Sequence, residues 1–325
     1  MKNIIIASGY GQSGNSCVRD FFKEFNCFYV MNPEFDILRF ANGIFALEQT
    51  LINNNNILTA DYQLKKFKKM IAYFYNNDYK NEFSGKLVEI TDGYIKELVA
   101  ETYLCYENCL HRHEYNELIE SRKQQGKKNF IGKWLDRKSV YPKVVETYIS
   151  KEFDGNEFIK ITKKYLSNLM EALTIKKNIC LVNAIHGMDI PKGMEYFNDC
   201  KIITCIRDPR DVYADFLLNV GKNNFLPIDS EQALKAFFKR VFKNYPVENR
   251  NILNIKFEDF VLNYNITKDK ILDFIGLDSK EHSNPFKYFD PEKSKKNIGL
   301  WRKLGNNSIV NMIENEFNER LYDVD

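Results

Sequence analysis

The sequence contains no long hydrophobic run, and its charges nearly cancel. No stretch approaches the roughly 18 consecutive apolar residues that a membrane-spanning helix requires. The formal net charge of the 325 residues is only +3, from 47 basic and 44 acidic side chains. This balance provides no general attraction to nucleic acid or to an acidic membrane surface. We therefore expect no membrane span and no nucleic-acid partner, and any basic site must be local.

The first residues are too poor in apolar side chains for a signal peptide. Only the four residues 4–7 form an apolar run before Gly9 and Gly11 interrupt it, whereas a signal core needs about seven. The seven cysteines are odd in number and irregularly spaced, and reduced cysteines are typical of the cytosol. We therefore expect a cytoplasmic protein.

One group of cysteine and histidine residues can be compared with a zinc site. Cys105 and Cys109 lie four residues apart in a segment predicted to be helical, close to His111 and His113. Structural zinc sites use Cys-x₂-Cys and His-x₃-His spacings, which this group lacks. An acidic cluster suited to Mg²⁺ is also missing near the glycine-rich loop described below. The prediction is that the protein uses no metal.

Short apolar runs rich in β-branched residues alternate with helical patterns along the chain. Four of these runs predict buried strands, at Ile4–Ala7, Ile179–Val182, Lys201–Ile206 and Ile252–Ile255. Strands that alternate with helices predict an α/β fold, with a parallel sheet flanked by helices. Residues 34–175 are mostly helical by pattern, and Asn53–Asn56 predicts an exposed turn. We expect one domain over residues 1–325, with a large helical insertion at about 34–175.

A glycine-rich loop joins the first predicted strand to a helix. Gly9, Gly14 and Ser16 match the G-x-x-x-x-G-x-[ST] frame of a phosphate loop. The segment Ser16–Phe25 places apolar side chains on one helical face, and Asn15 or Ser16 suits its N-cap. Backbone N–H groups of such a loop and the helix N-terminus bind phosphate. The pattern predicts a P-loop type of nucleotide-binding fold, and the alternative is a turn whose glycines serve only tight packing.

Asn15 distinguishes this loop from that of an ordinary ATPase or kinase. It stands where a P-loop NTPase has its lysine. Without that lysine the protein lacks the main side-chain contact to the β- and γ-phosphates of a triphosphate. The sequence therefore disfavours a common ATPase or kinase.

A second segment places an arginine at the end of a predicted strand. Lys201–Ile206 runs directly into Arg207–Asp211, and a helical pattern follows, with Pro209 suited to its first turn. Arg207 lies at the carboxyl end of the strand, where open α/β sheets bind ligands, and its guanidinium suits bidentate phosphate contact. The alternative is an ion pair between Arg207 and Asp211 that only fixes the turn.

Together these segments resemble the sulfotransferase family, which transfers a sulfuryl group from 3′-phosphoadenylyl sulfate (PAPS) to an acceptor. Gln12–Ser16 looks like the 5′-phosphosulfate loop of that family, and Arg207–Asp211 looks like its 3′-phosphate segment. Ile255–Phe260 resembles its Tyr-Glu-Asp-Leu segment, and Ile298–Arg302 resembles its Gly-x-Trp-[Lys/Arg] element, which folds over the nucleotide. The segments follow the family's order, whereas residues 30–175 show no resemblance.

The resemblance implies a function, a co-substrate and a set of site residues. It implies sulfuryl transfer from PAPS to a hydroxyl of a glycan or a small metabolite, without a metal. His186, 21 residues before Arg207, matches the family's general base, and the alternative is a histidine that caps a loop. The implied nucleotide-binding residues are Gly11, Gln12, Ser13, Gly14, Asn15, Ser16, Arg207, Asp215, Lys295, Lys296, Trp301 and Arg302.

The chain departs from the family at the residue that meets the departing oxygen. Gln12 replaces a lysine or arginine that neutralises charge there, and an amide brings a hydrogen bond without positive charge. We expect weaker transition-state stabilisation at this catalytic position. Lys295, Lys296 or Arg302 can compensate if the C-terminal segment reaches the site.

Two further departures concern the nucleoside. Asp215 stands where the family has a serine that binds the 3′-phosphate. Because a carboxylate repels a phosphate, either Asp215 points away or the nucleotide lacks that phosphate. Cys17 replaces a tryptophan that commonly stacks on adenine, so Trp301 or Phe257 is left for stacking.

Two other functions remain open at this point. One is transfer of another phosphoryl-type group from a nucleotide on the same scaffold, and the other is a nucleotide-binding protein without catalysis. Lys133, Trp134 and Arg137 form either an acceptor-side basic patch or a solvated helix face.

Overall fold

The computed structural model describes residues 3–106, 144–174, 177–221 and 225–323. The chain divides into two compact units. The sheet unit consists of residues 1–38 and 173–325, and the insertion unit consists of residues 39–172. All residues predicted to bind the nucleotide lie in the sheet unit.

The strands and helices of the described residues have the following bounds. The strands are β1 (Ile4–Ser8), β2 (Phe28–Val30), β3 (Val99–Tyr106), β4 (Val144–Ser150), β5 (Asn178–Val182), β6 (Lys201–Ile206) and β7 (Ile252–Lys256). The α-helices are Asn15–Phe22, Ile44–Glu48, Ile57–Asn76, Leu87–Leu98, Gly155–Leu173, Ile190–Met194, Pro209–Asp215, Glu231–Lys243, Phe257–Leu262, Tyr264–Ile275, Pro291–Ser294 and Ser308–Glu316. Each of the four predicted strands is present, within one residue of its expected ends.

The sheet unit contains a five-stranded sheet in the order β2-β5-β1-β6-β7. Every neighbouring pair of these strands is parallel. Ile5, Ile6 and Ala7 of the central β1 are completely buried, as expected for a strand that is covered on both faces. The predicted α/β fold, a parallel sheet flanked by helices, is confirmed.

Two apolar clusters occupy the sheet unit. The first cluster joins side chains of β1, β5, β6 and β7 to the helices Asn15–Phe22, Phe257–Leu262 and Tyr264–Ile275. The second joins Tyr10 to the helices Pro209–Asp215, Glu231–Lys243 and Ser308–Glu316. Cys180 and Cys205 are fully buried members of the first cluster.

The helix after the glycine-rich loop begins one residue earlier than predicted and ends earlier. It spans Asn15–Phe22, and its N-cap is Gly14. The prediction of Asn15 or Ser16 as N-cap is therefore wrong. Gly14 adopts a left-handed conformation with φ 98°, which glycine reaches without the steric penalty of a Cβ.

The insertion unit contains helices, as predicted, and also an antiparallel strand pair that the sequence pattern did not reveal. β3 pairs with β4, so Cys105 lies in a strand, and its predicted helical setting is wrong. The helices Leu87–Leu98 and Gly155–Leu173 pack through Tyr94 and Tyr165, whose rings stack at 4.3 Å. Asn53–Asn56 is exposed, as predicted.

Candidate nucleotide-binding site

Three segments meet at the carboxyl edge of the parallel sheet. β1 lies between β5 and β6, so the segments after these strands are neighbours at a crevice of the kind that binds ligands in α/β proteins. The glycine-rich loop follows β1, His186 follows β5, and Arg207 follows β6. The Gly187 N–H donates to the Gly9 carbonyl at 3.3 Å, and Arg207 Nη1 donates to the Gln12 carbonyl at 3.0 Å.

The glycine-rich loop directs a helix N-terminus toward this edge. The Tyr10 N–H donates to the buried Ser13 hydroxyl at 3.2 Å, which closes a tight turn. Gln12 and Gly14 both have positive φ, 56° and 98°, and Gln12 is exposed. No side chain caps the helix Asn15–Phe22. Its first N–H groups and the positive end of its dipole therefore suit an anion.

Close packing also requires glycine in this loop. A Cβ on Gly14 would lie 2.7 Å from the Phe257 ring, in addition to the strain of its positive φ. A Cβ on Gly11 would lie 2.2 Å from the tip of the Phe225 ring, which is exposed and can move aside. Gly14 therefore serves both tight packing and the shape of the loop.

Asn15 is oriented by two side chains that the sequence analysis did not single out. Asn15 Nδ2 donates to Asn183 Oδ1 at 2.6 Å, and Asn183 Nδ2 donates to Glu34 Oε1 at 2.7 Å. A carboxylate only accepts hydrogen bonds, so Glu34 fixes the orientation of both amides. Asn183 directly follows β5 and has φ 51°, and this position at a strand end was the available signal. Ser16, in the first turn, is exposed.

His186 lies at this edge and is partly exposed. The Met188 N–H donates to His186 Nδ1 at 3.4 Å, close to the outer limit for a hydrogen bond. This contact favours the neutral tautomer with its proton on Nε2. The Asp189 N–H donates to the His186 carbonyl at 2.8 Å, so His186 also takes part in a local turn.

Arg207 is almost completely buried, and protein groups surround its guanidinium. Nη1 lies 2.7 Å from Asp215 Oδ2, in an ion pair whose side chains are 4% and 13% exposed. Nη2 donates to the Asn297 carbonyl at 2.7 Å. The alternative of an ion pair with Asp211 is wrong, because Arg207 pairs with Asp215, about one helical turn after Asp211.

Asp211 holds the Gly-x-Trp element against the helix Pro209–Asp215. Its two carboxylate oxygens accept the N–H groups of Gly299, at 2.8 Å, and Trp301, at 3.1 Å. Burial raises the pKa of Asp211, while these two N–H groups act to lower it. Two segments that the family resemblance singled out are therefore in direct contact.

Asp208 connects the Arg207 segment to the helix Phe257–Leu262, which follows β7, and to the C-terminal residues. Its backbone N–H donates to Glu258 Oε1 at 2.8 Å, and its carboxylate accepts the N–H groups of Arg210 and Tyr322. Burial raises the pKa of Glu258 to about 7. Glu258 belongs to the Ile255–Phe260 segment, so this third segment also reaches the same edge.

Trp301 and Phe257, the two predicted stacking residues, both face arginines. The Arg210 guanidinium carbon lies 4.3 Å from the centre of the Trp301 ring, and that of Arg302 lies 5.6 Å from it. Phe257 is only 3% exposed and lies 5.1 Å from the Arg207 guanidinium carbon. Trp301, which is partly exposed, is the more accessible ring for a base.

The predicted cations of the C-terminal segment are exposed. Lys295 Nζ pairs with Glu292 at 2.7 Å and lines a groove of about 670 Å³ with Val261–Ile266 and Phe286. Lys296 and Arg302 are exposed as well. Their contribution to the charge near Gln12 stays a prediction.

Several sequence predictions lie outside the described residues. These are Cys109, His111 and His113, which were compared with a zinc site, and the basic group Lys133, Trp134 and Arg137. Within the described ranges, no group of three or more metal-ligating side chains is present. Among the same residues, no helix combines the length and the apolar character needed to cross a membrane.

No family model matches the sequence, and no curated protein matches it. The structure is similar to solved sulfotransferases. The sulfotransferase domain from the Synechococcus PCC 7002 olefin synthase is 16% identical, with a TM-score of 0.44, over 100% of this chain and 98% of that chain. The sulfotransferase domain from the curacin biosynthetic pathway is 15% identical, with a TM-score of 0.41, over 99% of each chain. Sulfotransferase STF9 from Mycobacterium avium is 10% identical, with a TM-score of 0.38, over 100% of this chain and 77% of that chain.

Proposed function

We propose that this protein transfers a sulfuryl group from an adenylyl sulfate donor to an acceptor hydroxyl of a glycan or a small metabolite. The donor in the family that the sequence resembles is PAPS. One observation carries the proposal: Arg207 Nη1 donates to the Gln12 carbonyl at 3.0 Å. The loop and the arginine that resemble the two nucleotide-binding segments of that family are therefore side by side.

The loop end fits the 5′-phosphosulfate of such a donor. The helix Asn15–Phe22 begins without a side-chain cap, and Gln12 is exposed beside it. Backbone N–H groups at this end offer hydrogen bonds and a positive dipole to an anion. The 5′-phosphosulfate group carries less charge than a triphosphate, so the proposal requires no metal.

In the proposed step, the acceptor oxygen attacks the sulfur atom. The bond between sulfur and the bridging oxygen breaks, and its electron pair leaves on the nucleotide phosphate. The acceptor hydroxyl gives its proton to the base, for which we propose His186. Gln12 donates a hydrogen bond to the departing oxygen but brings no charge, so we expect slow turnover.

His186 must change its hydrogen bonding to act as this base. Nε2 accepts a proton only when Nδ1 carries the other one, and the Met188 N–H now opposes a proton on Nδ1. The contact is long, at 3.4 Å, and catalytic hydrogen bonds often form only once the substrate is bound. The proposal therefore includes a rotation of the imidazole away from Met188.

Two substitutions at His186 test the base. His186→Ala and His186→Gln are compared with the wild type by measuring nucleotide release from PAPS and from adenosine 5′-phosphosulfate with a panel of hydroxyl acceptors. Loss of a general base is expected to lower kcat about 100-fold or more in both variants. If glutamine retains wild-type turnover, His186 acts as a hydrogen-bond donor, and the base assignment is wrong.

The same assay separates the alternative functions. A phosphoryl-type transferase on this scaffold would release phosphate or diphosphate from a nucleoside triphosphate and leave both PAPS and adenosine 5′-phosphosulfate intact. A protein that binds nucleotide without catalysis would bind an adenine nucleotide in calorimetry and release no product from either donor with any acceptor. Either result would contradict sulfuryl transfer.

A further inference from the structure

The ion pair at Arg207 changes what this end of the site can bind. The Arg207 side chain is 4% exposed, and Asp215 neutralises it at 2.7 Å. Two of its terminal N–H groups are also directed to the carbonyls of Gln12 and Asn297. Within the described chain, only Nε of this guanidinium is buried without a hydrogen-bond partner. A phosphate would therefore meet an arginine whose charge is already compensated.

Asp215 is held in place from two sides. Oδ2 accepts from Arg207, and Oδ1 accepts from Asn219 Nδ2 at 2.6 Å. Residues Phe216–Val220, which carry Asn219, form a π-helix, a rare conformation that is common at functional sites. Each carboxylate oxygen has two lone pairs, so Asp215, which is 13% exposed, can still accept from a ligand.

This pair of groups suits a hydroxyl better than a phosphate. A hydroxyl can donate a hydrogen bond to the Asp215 carboxylate. An ionised phosphate monoester only accepts, and it carries a charge of about −1.5 to −2 at neutral pH. At about 5 Å its repulsion by a carboxylate is several times the thermal energy.

We propose that Asp215 is a specificity-determining residue that favours a nucleotide with a free ribose hydroxyl over one with a phosphate at the Arg207 end. For a donor in the proposed orientation, this means adenosine 5′-phosphosulfate in preference to PAPS. The inference rests on the proposed function, because it needs an adenine nucleotide to span the loop and Arg207. It restricts the choice of donor and does not change the proposed sulfuryl transfer.

Calorimetry with two nucleotides tests this preference. Adenosine 5′-monophosphate and adenosine 3′,5′-bisphosphate are titrated into the wild type and into Asp215→Asn, which removes the charge and retains an acceptor oxygen. We expect the wild type to bind the bisphosphate no more tightly than the monophosphate. The substitution should raise the affinity for the bisphosphate about tenfold or more. It should change the affinity for the monophosphate by no more than about threefold.

The control variant is Glu316→Gln, which makes the same charge change in the exposed ion pair with Lys235. We expect it to leave both affinities unchanged, because exposed pairs contribute little. A wild type that prefers the bisphosphate tenfold, or an Asp215→Asn variant with an unchanged preference, would overturn the role of Asp215. If neither nucleotide binds the wild type, the proposed function fails, and the inference fails with it.

A measurement on the wild type alone keeps the test independent of whether the variant folds. 3′-Deoxyadenosine 5′-monophosphate lacks the 3′-hydroxyl that would donate a hydrogen bond to Asp215. We expect it to bind at least about fivefold more weakly than adenosine 5′-monophosphate, because a hydrogen bond to a charged group is lost. Equal affinities for these two monophosphates would contradict a hydrogen bond from the ribose hydroxyl to Asp215.

Discussion

The two ends of the candidate nucleotide site are built in different ways. The loop end consists of backbone N–H groups and a helix N-terminus that no side chain caps. The Arg207 end consists of side chains, with a guanidinium and a carboxylate 2.7 Å apart. An end built from backbone depends on glycine conformations, so substitution of those glycines disrupts it. An end built from side chains can change its ligand preference through a single substitution.

The largest effect is expected at Gly14, on which the geometry of the loop end depends. Gly14→Ala adds the strain of φ 98° and a Cβ only 2.7 Å from Phe257. We expect the free energy of unfolding to fall by about 3 kcal/mol or more, with loss of nucleotide binding. Urea denaturation and calorimetry measure the two quantities.

Gly276→Ala is the matched control for that variant. Gly276 also has positive φ, 69°, but a Cβ there meets nothing within 4 Å. Only the conformational penalty remains, about 1 kcal/mol. If both alanine variants lose the same stability, packing does not constrain the loop at Gly14.

A pH effect of intermediate size is expected at the Arg207 end. Burial raises the pKa of Glu258 from 4.5 to about 7, so the folded state favours its protonated form. The stability that this group contributes is present below pH 4.5 and is lost as the pH rises through about 7. Between these values the wild type should lose roughly 2 to 3 kcal/mol relative to Glu258→Gln.

Urea denaturation of both proteins from pH 4 to pH 8 measures that difference. Glutamine can still accept the Asp208 N–H through its side-chain oxygen, so the comparison isolates the charge. Parallel stability profiles for the two proteins would show that Glu258 does not titrate with a raised pKa.

The smallest expected effect concerns charge at the loop end. Gln12→Lys restores a cation beside the departing oxygen, and we expect kcat for sulfuryl transfer to rise about tenfold. Gln12→Ala is the control, since it removes the amide without adding charge, and its kcat should fall. Unchanged kcat in the lysine variant would mean that another cation already serves this position.

The parts of the fold that the sequence predicted are those encoded by neighbouring residues. β1, the glycine-rich loop and the following helix are contiguous in the chain, so periodicity and glycine positions sufficed. β3 and β4 were missed because their pairing joins residues far apart, such as Thr102 and Tyr148. In an antiparallel pair of this kind, packing against neighbours outweighs local propensity.

The candidate site was predicted in part, for a related reason. Arg207 was found because it directly follows an obvious strand. The alternative interpretation paired it with Asp211, but that carboxylate accepts the N–H groups of Gly299 and Trp301 instead. Asp215 is the partner, and this choice depends on a C-terminal segment that only folding brings near.

A crystal structure with adenosine 5′-phosphosulfate bound would test the central claim most directly, namely that the loop and Arg207 serve one nucleotide. We expect the phosphosulfate to accept hydrogen bonds from backbone N–H groups of residues 13–16, and the ribose of the same molecule to lie beside Arg207 and Asp215. A nucleotide that binds elsewhere, or that contacts the loop while its ribose points away from Arg207, would contradict the account.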